Sequence, residues 1–200
     1  SGIGNNVTIA ASQFIGNSAG SSGGGTFING VATTITASQF VNNTAQKGGG
    51  VDFFIGRAWV ANSLFVRNTA TSGAGDAIYC GPDASSCGSL NIAFTTIASP
   101  TLAAGSAVFV GPVWGVPLNM TNTIIVNHAV GISNTSTVNE DFNYFYGNGA
   151  NIAGSGTTTS GANHPAGAQA FVNPAGDDWR LAAGNPAINT GTNVGIYTDY

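Results

Sequence analysis

Apolar and polar positions alternate along this chain in runs too short for helices, and the runs return at a fixed interval. Residues 7–19 read Val-Thr-Ile-Ala-Ala-Ser-Gln-Phe-Ile-Gly-Asn-Ser-Ala. Residues 33–45 read Thr-Thr-Ile-Thr-Ala-Ser-Gln-Phe-Val-Asn-Asn-Thr-Ala, and residues 58–70 read Ala-Trp-Val-Ala-Asn-Ser-Leu-Phe-Val-Arg-Asn-Thr-Ala. Phe14, Phe40 and Phe65 mark one position, so the steps are 26 and 25 residues. Glycine-rich runs follow each copy, at Gly23-Gly24-Gly25, Gly48-Gly49-Gly50 and Gly73-Ala74-Gly75. No stretch of ten residues carries a helical stripe, and glycine interrupts every candidate. Short strands and Gly/Asn turns repeating every 25 or so residues predict an all-β chain. The specific expectation is a single-domain right-handed parallel β-helix, a solenoid of about six coils with an irregular C-terminal segment.

In such a stack, equivalent residues pile into columns about 4.8 Å apart. Ile9, Ile35, Val60, Ile92 and Met120 each lie five residues before Phe14, Phe40, Phe65, Ile97 and Ile125. These are two expected interior columns, apolar in all five copies. Three residues after the aromatics stand Asn17, Asn43 and Asn68, an expected corner ladder. Asparagine tolerates left-handed backbone, and stacked amides can bond along a column. Later copies place Pro100, His128 and Asn148 there. A second apolar ladder follows the glycines, through residues 25–28, 51–54, 77–79 and 107–110. Coils are expected over residues 1–152, and a loop with a closing segment of the same domain over 153–200.

Composition narrows the partners. Charged residues make up 6% of the chain, against roughly 25% in ordinary soluble proteins. Glycine is 30 of 200 residues, and the net charge is −4 with only Lys47, Arg57, Arg67 and Arg180 basic. Four scattered cations cannot neutralise a nucleic-acid backbone, so that partner is excluded. No apolar run approaches the ~20 residues of a membrane helix. No secretory leader precedes Ser1, so a leader has been removed or was never part of this sequence. Cys80 and Cys87 bracket Gly-Pro-Asp-Ala-Ser-Ser and favour a local disulfide over a surface turn, against an alternative of two free thiols. The phase from Phe65 to Ile97 is 32 residues, and removing residues 81–87 restores 25. The cysteine turn is therefore expected as an insertion between coils, and an oxidised pair implies an extracellular or cell-surface setting.

The Phe-x-x-Asn motifs at Phe14/Asn17, Phe40/Asn43 and Phe65/Asn68, each with its glycine-rich partner, resemble the repeats of chlamydial-type polymorphic outer-membrane proteins. The tail resembles the end of bacterial choice-of-anchor Q surface domains. Its matching parts are His164, Phe171, Asp178 to Leu181, and Gly184 to Gly191, with Asn185 and Asn189 where Ser and Asp are usual. Residues 194–200 look like the start of that family's next step, so a piece of a longer chain is one expectation. The resemblances imply a bacterial surface β-helix and no agreed catalytic set.

Catalytic and cofactor sites are expected to be none. A glycosidase needs two carboxylates across a groove. A 25-residue step offsets Asp52 and Asp76 by one residue, onto opposite faces. Glu140-Asp141 and Asp177-Asp178 are neighbours in sequence, which does not make a shared pocket. His128 falls in the corner column, where a structural role is favoured. Thr8, Thr33, Thr34 and Thr36 do not continue as an ice-binding array. What remains is assembly. A solenoid exposes strand edges at its ends, and the expected assembly edge comprises Ile3, Val7, Ile9, Ile196 and Tyr197. The leading expectation is an extracellular structural protein joining end to end or by strand addition into filaments. The alternative is an adhesin binding glycan or protein along one flank, with Trp59, Trp114 or Trp179 as candidates. A polysaccharide lyase or hydrolase ranks third.

Overall fold

The computed structural model describes residues 5–81, 87–112, 117–162, 164–165, 167, 171–176 and 178–193. Ile3, Ile196, Tyr197 and Trp114 lie outside the described residues. The described chain is all β, apart from a 3-10 turn at Pro174–Gly176. A 15-stranded sheet dominates, and its pairings are parallel.

The repeat is the reason for the sheet. Each copy of the motif pairs with the next in register, so strands lie beside strands of the same sequence pattern. Three ladders result. One joins Asn6–Ala10 to residues 32–36, 57–61 and 89–93, then to Leu118–Thr121, Thr137–Asp141 and Thr157–Ser160. The next joins Gln13–Ile15, Gln39–Val41, Leu64–Val66, residues 96–98 and 124–126, and Tyr144–Tyr146. The third joins residues 26–28 to 51–53, Ile78–Cys80, residues 108–110 and 132–134, and Ala150–Ala153.

One apolar core is shared by the three ladders. Ile35, Phe40, Val60, Phe65, Ile92, Ile97, Met120 and Ile125 are all buried. The rings of Phe14, Phe40 and Phe65 stack at 4.7 and 4.6 Å. Each fully buried aromatic contributes about 1.5–3 kcal/mol relative to exposure. Val7, Ile9 and Phe14 at one end, and Phe145 and Ile152 at the other, are only partly buried against this core.

Two lines of corners turn the chain. Ala11, Ala37, Asn62, Phe94, Asn122 and Phe142 have φ between 46 and 57°. Gly16, Asn42, Arg67, Asn127 and Gly147 have φ between 55 and 67°. This corrects one expectation. Asn17, Asn43 and Asn68 are not the left-handed residues; the residue before each of them is. Close layer contact fixes the glycines instead: a Cβ on Gly50 would lie 2.5 Å from the Ala77 carbonyl.

The insertion is also distributed differently from the single block expected at 81–87. Ala45 faces Ala70 but Lys47 faces Ala74, which adds two residues around Ser72 and Gly73. Asp52 faces Tyr79 while Gly56 faces Cys87, which adds four in the cysteine turn. Arg57 then faces Ser89, so Gly88 is a bulge. Asp52 and Asp76 are consequently three positions apart in register, not one.

The tail does not continue the ladders. Phe171–Asn173 and Asp178–Leu181 form an antiparallel pair. It packs on the outer side of the second ladder, where Phe171, Trp179 and Leu181 meet Val66, Ala98, Val126 and Tyr144. Arg67 donates to the Pro174 carbonyl at 3.1 Å and lies 5.9 Å from the Trp179 ring. Asn122 exchanges two hydrogen bonds with the Thr192 backbone, at 2.7 and 2.8 Å.

Candidate functional site

The corner asparagines form a continuous ladder. Asn43 Nδ2 donates to Asn68 Oδ1 at 3.0 Å and to the Phe14 carbonyl at 2.8 Å. Asn43 Oδ1 accepts from the backbone and side-chain nitrogens of Asn17, both at 3.0 Å. The other corner carries a hydroxyl ladder that the sequence reading missed. Ser12, Ser38, Ser63, Thr95 and Thr123 each donate to the carbonyl two residues back. Ser38 and Ser63 also accept the backbone N–H of the preceding copy's serine. The signal is a Ser or Thr two residues before Phe14, Phe40, Phe65, Ile97 and Ile125.

Where the asparagine ladder lapses, charge replaces it. Proline at position 100 cannot donate its backbone nitrogen. Asp76 reaches the corner and accepts the Ala70 N–H at 2.8 Å. Its other oxygen lies 3.3 Å from His128 Nδ1, with both side chains almost wholly buried. His128 Nε2 is buried without a hydrogen-bond partner among the described residues. The His128 backbone N–H still donates to Asn148 Oδ1 at 2.9 Å, as an asparagine would. This pair holds a corner.

The last copy breaks the interior column. Glu140 is the register partner of Met120 and is 5% exposed. Its carboxylate accepts from Asn143 Nδ2 at 3.0 Å and lies 3.4 Å from His164 Nε2. His164 is held by the Gly161 and Asn143 carbonyls, at 2.9 and 3.4 Å. Together they edge a cavity of about 650 Å³ that also meets Phe145 and Ile152, at the end where the core is incompletely covered. A carboxylate and an imidazole can bind a polar group or move one proton. Among the described residues lining the cavity there is no second carboxylate of the kind glycoside hydrolysis uses, because Asp141 projects to the opposite face of its strand.

Cys80 and Cys87 are joined, and both are buried against the core; residues 82–86, where a surface turn is expected, lie outside the described residues. Trp59 is 36% exposed on the outer side of the first ladder. Trp179 is covered by Phe171 and Arg67. Asp178 is held down to about 2 by its bond to the exposed Arg180 guanidinium, and burial pushes the Tyr144 phenol up. Among the described residues no group of three His, Cys, Asp or Glu could hold a metal. No described helix is long and apolar enough to cross a membrane.

Compared with known proteins, the chain matches no family model, no curated protein and no solved structure.

Proposed function

We propose that this chain is a right-handed parallel β-helix of a secreted or cell-surface structural protein, and that its ends join those of a second copy. Three ladders in one phase, sharing one core, support the solenoid reading. The disulfide supports an oxidising location, and the sequence resemblance to bacterial surface domains agrees with it.

One observation carries the assembly reading. Among the described residues the core is buried along its length and only partly covered at Val7, Ile9 and Phe14 and again at Phe145 and Ile152. Among the described residues the same ends carry strands paired on one side only, Asn6–Ala10 and Gln13–Ile15 at the first and Tyr144–Tyr146, Ala150–Ala153 and Thr157–Ser160 at the last. Asn17 Oδ1 occupies the place where Asn43 and Asn68 accept from the copy before them. A second molecule entering in phase would stack its Phe14 over Phe145 and fill the end cavity. The two surfaces differ, so the contact is heterologous and extends without closing. With 6% charged residues, little electrostatic repulsion opposes it. Sedimentation velocity over a hundredfold concentration range tests this reading. Species larger than the monomer should grow with concentration, and one unchanging monomer peak would refute it.

A further inference from the structure

Trp59, Asn91, Asn119, Asn139 and Thr159 follow one another in register on the outer side of the first ladder. Asn119 Nδ2 donates to Asn91 Oδ1 at 3.0 Å, and Asn139 Nδ2 to Asn119 Oδ1 at 3.1 Å. These bonds hold the amides in one row and use one N–H of each donor. Among the described residues, the second N–H of Asn119 and Asn139, both N–H groups of Asn91, and Asn139 Oδ1 remain for a ligand. Two residues further along each strand the outward column holds Ala61, Ala93, Thr121, Asp141 and Gly161. All of these but Ala61 line, with the Trp59 row, a trench of about 420 Å³ between Trp59 and Thr159. At ~4.8 Å per strand its four steps span roughly 19 Å.

We propose that this trench binds a neutral oligosaccharide or polysaccharide laid along the stack. Trp59 offers a ring on which the apolar face of a sugar can pack, and the amide row offers donors and acceptors to successive hydroxyls. The charge pattern selects a neutral chain. No Lys, Arg or His lines the trench, while Glu140 and Asp141 do, and the net charge of −4 adds repulsion toward uronates and sulfates. Arg57 belongs to the next outward column and does not line it. A peptide adding as a β-strand is disfavoured, because the strands bearing Trp59, Asn91, Asn119 and Asn139 are paired on both sides.

Calorimetric titration of the whole chain with gluco-, xylo- and manno-hexasaccharides tests the proposal, with hexagalacturonate as the charged comparison. At least one neutral hexasaccharide binds and the galacturonate does not. Trp59→Thr restores the residue that Thr8 and Thr34 hold in the sister copies, and Asn119→Ala breaks the amide row. Each weakens binding about tenfold, or 1.4 kcal/mol, with the urea unfolding midpoint unchanged. Absence of binding to every neutral hexasaccharide overturns the proposal. So does equal binding of galacturonate, or undiminished binding in both variants.

Discussion

Asp76 and His128 are 52 residues apart in the chain and 3.3 Å apart in the fold, beside the corner where Pro100 interrupts the asparagine ladder. Removing one member leaves the other buried without its partner, and such losses run to about 2–4 kcal/mol. Asp76→Ala and His128→Ala should each lower stability by that amount in urea unfolding. The double variant should lose clearly less than the two losses together, because the first substitution already breaks the pair. Full additivity would show that the pair is not coupled.

Asn43 carries more of the corner than any surface asparagine would. It bonds Asn17, Asn68 and the Phe14 carbonyl at once. Asn43→Ala should cost about 2–4 kcal/mol by stranding the Asn17 N–H and that carbonyl. Asn139→Ala, on the exposed row, should cost less than ~0.5 kcal/mol. Thermal or urea unfolding of both variants checks the contrast.

Ala37 holds a φ of 57°, where a Cβ is strained and glycine is not. Ala37→Gly should therefore stabilise the fold by about 0.5–1 kcal/mol, less the extra freedom glycine gives the unfolded chain. Ala58→Gly, at a buried ladder position of extended backbone, should destabilise it. A loss of stability in Ala37→Gly would contradict the corner assignment.

Both cysteine side chains are buried, so a reductant reaches the disulfide only through opening of the fold. Native protein in dithiothreitol should keep Cys80–Cys87 intact far longer than protein in urea. Once reduced, the chain should lose about 2–3 kcal/mol of stability. Thiol counting by mass spectrometry after alkylation follows both steps.

Most of the repeat was legible because parallel in-register pairing puts like on like. Ile35 over Val60 and Phe40 over Phe65 follow from counting alone. The count failed where the register shifts, at Ser72–Gly73 and Gly88, because a bulge leaves no compositional mark. The left-handed corner was placed one residue late, since asparagine both tolerates that backbone and forms the ladder, and here Asn42 and Asn43 divide the two roles. The Asp76–His128 pair was hidden because its members are not in phase. Glu140 was hidden for the opposite reason: it is in phase with Met120, five residues before Phe145, but a carboxylate was not sought in an apolar column. The row of Asn91, Asn119 and Asn139 is equally countable, one residue before the apolar column of Ile92 and Met120.

Electron microscopy of negatively stained protein over a concentration series tests the central claim most directly. End-to-end stacking predicts fibres of uniform width whose length grows with concentration, with an axial repeat of one molecule. Ile9→Lys sets a charge in the open end of the core and should leave only single short rods. Isolated rods of the unaltered protein at every concentration, or fibres that persist in Ile9→Lys, would contradict the account.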